Sequence, residues 1–583
     1  MSSDTRNMIL AIVLSTLVLL GWGLVSERYF PAPKPAPKAA PVTPGAPAAA
    51  PGTPAANVAA PGTVAAAPTL TPTQAFRSVP RVRIETPNLI GSLSLKGATF
   101  DDLRMVNQTD RVGKGAQPAR LLSPAGAPGA YFARFGWTGQ GVVVPDANTV
   151  WTPSAPTLTP GKPVTLSWTN PTGQRFELLV SVDDGYLFTV TQKVSNLGGG
   201  PIAVRPFGLL SRANAGPDAK SDGWTHHVGP MSVIDGRSDY DVNYGTLDED
   251  GAQRFTGNNG WVGFTDKYWL TALAPAGDAP LNASLRRGQG TSYQADYALD
   301  PAIVAPGRAV QATTHLFAGA KEKKWLDAYE ASGAVPVISD SIDWGWFEFF
   351  MRPIFALLIW LFNTIGNFGW AIIALTFIVR LLMYPIFDRQ FRSMAGMRAM
   401  QPKMKELQER HKDDKTKMQQ ELLELYKREK INPAAGCLPI LIQIPVFYAL
   451  YKVLTVTVEM RHQPWALWIK DLSAPDPLTP VNLFGLLNFD PPGLLHLGVL
   501  PILLGITMWL QFKLNPAPMD DMQKQIFSIM PWVMMFAMAP FAAGLQLYWV
   551  VSNILGIAQQ KYLYSKYDAE KIAAKAGVAT AKT

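Results

Sequence analysis

The chain has 583 residues, a formal net charge of +8 and a single cysteine. Hydrophobic residues make up 48% of it and charged residues 16%, and the apolar ones gather in one N-terminal run and in the part of the chain after about residue 340. One cysteine excludes a disulfide within the chain, and the apolar concentration excludes an ordinary soluble enzyme.

In chain order, Met8–Val25 is the first run long enough for a spanning helix, which needs about 20 mostly apolar residues. Ser26-Glu27-Arg28-Tyr29-Phe30 makes a poor cleavage site, so residues 1–25 are expected to be a retained N-terminal anchor. A linker, 26–75, follows. Of the 40 residues in 31–70, 26 are Ala or Pro, a composition that buries too little apolar surface to order itself and acts as an extended spacer. Residues 76–335 then change character. Phe176, Leu178, Val180 and Val182 alternate with polar positions, Asp183-Asp184-Gly185 turns the chain, and Tyr186–Val190 returns, which predicts a β-hairpin. Short alternating runs of this kind across 76–335 predict a large all-β sandwich outside the cytoplasm.

Residues 336–365 carry apolar side chains at three- and four-residue steps, with Trp344 and Trp346 at one end. This pattern predicts an amphipathic helix lying in the outer interface. Asn363, Gly366 and Asn367 mark a break before the next element. Further spans are expected at 366–387, 432–458, 494–512, 526–541 and 544–562, six in all with the anchor, five of them forming the core. Between the second and third lies 388–431, with twelve Lys or Arg. Its methionine and leucine stripes predict two antiparallel helices, with Asp413 and Asp414 starting the second and Pro402 kinking the first. Basic loops stay cytoplasmic. That places 388–431, the loop 513–525 and the basic tail 563–583 inside, and the loop 459–493 in the periplasm. The methionines suit mutual packing of the two helices, and also contact with varied apolar partners.

No nucleotide-binding loop, metal motif or nucleophile elbow is present, and no cofactor is expected. The interleaved acids argue against a specific nucleic-acid site. The informative residue is Arg380, about 10 Å from the cytoplasmic end of its span at the helical rise. A charge at that depth is costly unless water, a cavity or a partner receives it. Thr376 is four residues earlier, on the same helical face. Gln443, Gln546, Ser552 and Asn553 are polar positions in other spans that either line such a cavity or pair between helices.

Thr376–Arg380, Met383-Tyr384-Pro385, Met400-Gln401-Pro402-Lys403, Asn432–Pro439, Gln443-Ile444-Pro445, Ala466–Ile469 and Gly544–Asn553 resemble the YidC family of membrane-protein insertases. The anchor and the β-domain, through Gly260-Trp261 and Asp184-Gly185-Tyr186, resemble its Gram-negative form. The resemblance implies a β-supersandwich, and a hydrophilic groove open to cytoplasm and lipid in which Arg380, Thr376, Gln443, Tyr548, Trp549, Ser552 and Asn553 meet clients. It also implies nascent membrane proteins, the ribosome, the Sec translocon and the lipid bilayer as partners. Tyr548-Trp549 departs from the paired tyrosines of many members, and 477–495 stands as an extra loop. Two other readings predict different features. An anion transporter would show internal repeats, and a membrane-tethered sugar-binding protein would show a carboxylate–histidine cluster within 76–335.

Overall fold

The structure is a computed structural model. It describes residues 61–63, 74, 76 and 79–567, apart from 114, 217, 220–225, 279, 346–347, 412–413, 429–437, 485, 488–496 and 515–520. The expected anchor, most of the linker, Asp413, the motif around Cys437 and the end of the basic tail lie outside the described residues.

Residues 81–320 form two packed sheets, one of eleven strands and one of nine among the described residues. Pairing is antiparallel throughout most of both. In the first sheet, Arg83–Ile84 instead runs parallel to Thr157–Leu158. The hairpin read from alternation is present: Gln174–Val182 pairs with Leu187–Asn196, Phe188 opposite Val182 and Val194 opposite Phe176. Phe176, Leu178, Val180 and Val182 all point inward. Aromatic rings from the two sheets meet in the core. Phe100 of the larger sheet meets Phe188 of the smaller edge to face at 5.4 Å, and Trp137 meets Phe176 at 5.2 Å, the geometry ring quadrupoles prefer. Gly185 in the turn has a different reason to be glycine. A Cβ there would lie on the Tyr329 hydroxyl and the Trp325 ring.

A short helix, α1 (Tyr244–Asp250), is capped by Asn243, whose side chain accepts from Thr246 N. The β-region ends in α2 (Lys323–Ala331). Several contacts then join it to the segment that follows α8 (Leu438–Val456). Arg461 donates to the Thr109 carbonyl at 2.7 Å and lies over the rings of Tyr268 and Trp269. Thr109 Oγ1 is 3.0 Å from His462 Nδ1. Glu459 Oε1 accepts the Lys323 amide at 2.9 Å, so a carboxylate from beyond α8 caps α2. Burial pushes the Glu459 carboxyl up to about 7, with nearby Glu322 adding to the effect and the Lys323 amide opposing it. Tyr186, bonded to Glu322, faces the same group. A carboxyl raised in the folded state gives stability that is whole below its unfolded value and is lost as pH rises through the folded one. Raising pH from 5 to 8 should therefore lower the thermal midpoint of the wild type more than that of Glu459→Gln. Equal slopes would remove Glu459 as the titrating group.

The helical part holds α3 (Glu348–Ile365), α4 (Phe368–Leu382), α5 (Tyr384–Ala399), α6 (Gln401–Arg410), α7 (Lys415–Arg428), α8, α9 (Val499–Lys513), α10 (Asp521–Met538) and α11 (Ala543–Lys566). The break after α3 falls at Gly366, φ +79°, and Asn367 caps α4 by accepting from Trp370 N. The expected span 366–387 is not one straight helix: it bends by 52° after Leu382. Pro385 explains the bend, since it lacks the N–H that Leu381 O would receive and its ring crowds that carbonyl. Pro402 sits at the start of α6, where a proline is tolerated. Asp414 caps α7 by accepting the Lys417 amide at 3.0 Å. Met400, Met404 and Leu407 of this hairpin pack on Leu422 and Leu425, so these side chains serve mutual packing.

Among the described residues, one helix, α3, is long and apolar enough to cross a membrane alone. The bent pair of α4 with the start of α5 passes together, and α8, α9 and α10 contribute shorter apolar stretches. The segment expected to lie along the interface is thus the one with full spanning length. Its Met351, Phe355 and Leu358 are buried while Phe349 and Trp360 are exposed. Helix length among the described residues does not by itself carry a count of six spans.

Candidate functional site

The helical part has a polar seam where α4, α9 and α11 meet. Arg380, in the last turn of α4, reaches α11. Its Nε and Nη2 donate to Ser552 Oγ at 3.2 and 2.8 Å, and Nη2 donates to the Ser552 carbonyl at 2.6 Å. The guanidinium also lies over the Phe387 ring, 5.1 Å from its centre. No ion pair to Arg380 forms among the described residues. Its charge is therefore held by a hydroxyl, a carbonyl and a ring face, none of which neutralises it.

The other expected residues divide. Gln443 Nε2 donates to the Tyr548 hydroxyl at 2.5 Å, and Asn553 donates to Thr507 Oγ1 at 3.1 Å. Both are contacts between helices at the seam. Trp549 packs on Phe447 of α8 at 4.8 Å. Thr376 shares the face of Arg380 but is fully buried, and its hydroxyl donates to the Ile372 carbonyl of its own helix. Gln546 is structural: its amide donates to the carbonyls of Met538, Ala539 and Phe541, closing the end of α10.

Thr507, Gln511 and Gly556 belong to the seam and were not legible in the sequence. Thr507 and Gln511 lie four apart on α9, so one face of that helix carries both toward α11. Gln511 Nε2 and Arg380 Nη2 converge on the bare α-carbon of Gly556. A Cβ there would stand 3.0 Å from the first and 3.2 Å from the second. Gly556 is the residue that leaves room for both donors. Its replacement by leucine should push the guanidinium aside and lower the thermal midpoint, while alanine, needing a shift of a few tenths of an ångström, should cost less. Thermal unfolding of the two variants checks this; an unchanged midpoint for the leucine variant would show that the space above Gly556 is unused.

The β-domain holds a separate cavity of 240 Å³ lined by Arg134, Trp137, Asp146 and Trp151 among others. Its lining has a single acid and no histidine. His315 and His227 are engaged elsewhere, with Thr189 and the Pro230 carbonyl.

Apolar helices with an arginine at a polar seam, joined to a large β-sandwich, fit an integral membrane protein. The comparisons are specific. The family model described as "60Kd inner membrane protein" matches residues 360–571, and that described as "YidC periplasmic domain" matches 81–357. The "Membrane protein insertase YidC" of Zymomonas mobilis is 42% identical over 565 residues, covering 96% of this chain and 95% of that protein. That of Nitrobacter hamburgensis is 45% identical over 586 residues, covering 97% and 95%. A solved "Active YidC insertase crystal structure with the first transmembrane domain resolved" is 18% identical with a TM-score of 0.34, covering 84% of this chain and 95% of that one. The chain belongs to the YidC family of membrane protein insertases, proteins of the bacterial inner membrane.

Proposed function

We propose that the chain inserts integral membrane proteins, and helps them fold, by receiving their polar segments at the Arg380 seam. The observation that carries this reading is a guanidinium held among helices by Ser552 with no carboxylate partner among the described residues. A client's acidic or polar tail meets positive charge there instead of hydrocarbon, which lowers the cost of its passage. The apolar helix behind it then partitions into lipid at a gain of about 1.5–3 kcal/mol per large apolar side chain, so no nucleotide is required. Six spans with both termini cytoplasmic, the β-domain in the periplasm and the α6–α7 hairpin in the cytoplasm complete the reading. The basic residues of 388–431 support that orientation. Ribosomes delivering nascent chains and the Sec translocon are the partners proposed for this arrangement, with the chain also acting alone.

The test is reconstitution of the full chain in liposomes without translocon or nucleotide, with a single-span client bearing a short acidic tail. Protease protection of the tail inside the vesicle is the expected result. A strict requirement for nucleotide, with the chain folded, would overturn the reading.

A further inference from the structure

The first two turns of α5 lie across one end of the Arg380 seam. Met383 alone separates α4 from α5. The Ile386 and Phe387 amides both donate to the Met383 carbonyl, at 3.0 and 3.1 Å, and Pro385 has no amide hydrogen to give. The hydrogen bonding of α5 therefore starts afresh at Met383 instead of continuing that of α4, and the axis turns by 52° there. A joint at the end of two elements absorbs a change of angle without unwinding either helix.

Beyond the joint, Tyr384, Phe387, Asp388 and Phe391 lie at three- and four-residue steps and so share one face of α5. That face meets the end of α11. Phe387 is buried against Met383 and Leu563, with its ring centre 5.1 Å from the Arg380 guanidinium. Phe391 meets Tyr564 edge to face at 5.2 Å. Asp388 completes the contact: its Oδ1 accepts from Lys566 Nζ at 2.9 Å and its Oδ2 from the Tyr567 hydroxyl at 2.7 Å. Arg380 is thus shared between Ser552 of α11 and the Phe387 ring of α5. The side chains of Lys566 and Asp388 are 42% and 24% exposed, and an ion pair so open to water is weakly held.

We propose that these two turns of α5 are a lid on the seam, with Phe387 as the residue that positions the Arg380 guanidinium on Ser552 while the lid is shut and Asp388 as its latch. The inference rests on the reading that clients are received at Arg380. Under the Phe387 ring the guanidinium is held by a cation–π contact. Once α5 swings at Met383 that face is withdrawn, and the charge is open to an entering carboxylate. An acidic segment entering there also competes with Asp388 for Lys566, because one carboxylate replaces another on the same ammonium. The client that needs Arg380 therefore carries the group that frees the lid.

The test uses the full chain in liposomes, in a Cys437→Ser background. Phe391→Cys and Tyr564→Cys are joined by a short reducible bis-methanethiosulfonate, which ties the lid to α11. Expected for the joined chain is a loss of about fivefold or more in insertion of an acidic-tailed client, with a smaller loss for a short neutral-tailed one. Activity should return on reduction, and each single-cysteine chain given the same reagent should be unaffected. Full insertion by the joined chain overturns the lid, and an equal loss for both clients assigns the contact to the fold and overturns it too. A charge swap tests the latch without cysteines. Asp388→Lys should raise the ratio of acidic-tailed to neutral-tailed insertion, and Asp388→Lys with Lys566→Asp should restore it; an unchanged ratio in the first, or no restoration in the second, overturns the latch. Arg380→Ala in the unjoined chain reports on the seam itself: normal insertion of the acidic-tailed client by that variant overturns the seam reading, whatever the joined chain does.

Discussion

Replacing Arg380 by alanine should lower insertion of clients with acidic translocated tails by tenfold or more, since a single charge pair at the 4 Å scale is worth about 4 kcal/mol in a partly hydrated site. Clients with short neutral tails should change by less than about twofold, because hydrophobic partition drives them. Arg380→Lys retains the charge and loses only the planar fork of donors that now grips Ser552, so it should keep most of the activity. Arg380→Glu should fall below alanine through repulsion. Arg380 also ties α4 to α11, so each variant is read against its amount in the membrane. An equal loss for both client types at normal protein level would assign Arg380 to the fold.

The second large effect concerns the β-domain. Every residue of the seam lies after position 340, so deletion of residues 81–320 should leave insertion within about twofold of the full chain while lowering its thermal midpoint by several degrees. The stability loss has a named source. Arg461 would lose the Thr109 carbonyl and the rings of Tyr268 and Trp269 together. Arg461→Ala should therefore destabilise the full chain and add little to the truncated one. Loss of insertion by a truncated chain that accumulates normally would show that the β-domain takes part in the reaction.

The sequence carried local features well. Alternation at Phe176–Val182 set the hairpin and its inward face, and Gly366 with Asn367 set the break before α4, because each is decided within a few residues. Asp414 starting α7 was legible for the same reason. The bend after Leu382 was written in Pro385 but hidden by the apolar run on both sides. Apolar content predicted six spans, and among the described residues the segment at 348–365, read as interfacial, is the one helix that is long and apolar enough to span alone. Arg380 stood out because a charge in an apolar run is conspicuous. Its neighbours Gln511 and Gly556 did not, since their meeting depends on how three helices distant in sequence cross. Thr376 was on the expected face, yet helical packing turned its hydroxyl back to Ile372.

The most direct measurement is site-specific photocrosslinking to a stalled single-span client. A photoreactive side chain at Gln511, beside Arg380, is compared with one at Ile554, exposed on the same helix as Ser552. The account predicts client adducts from Gln511 and few from Ile554. Adducts of equal yield at both positions, or from Ile554 alone, would contradict passage along the Arg380 seam.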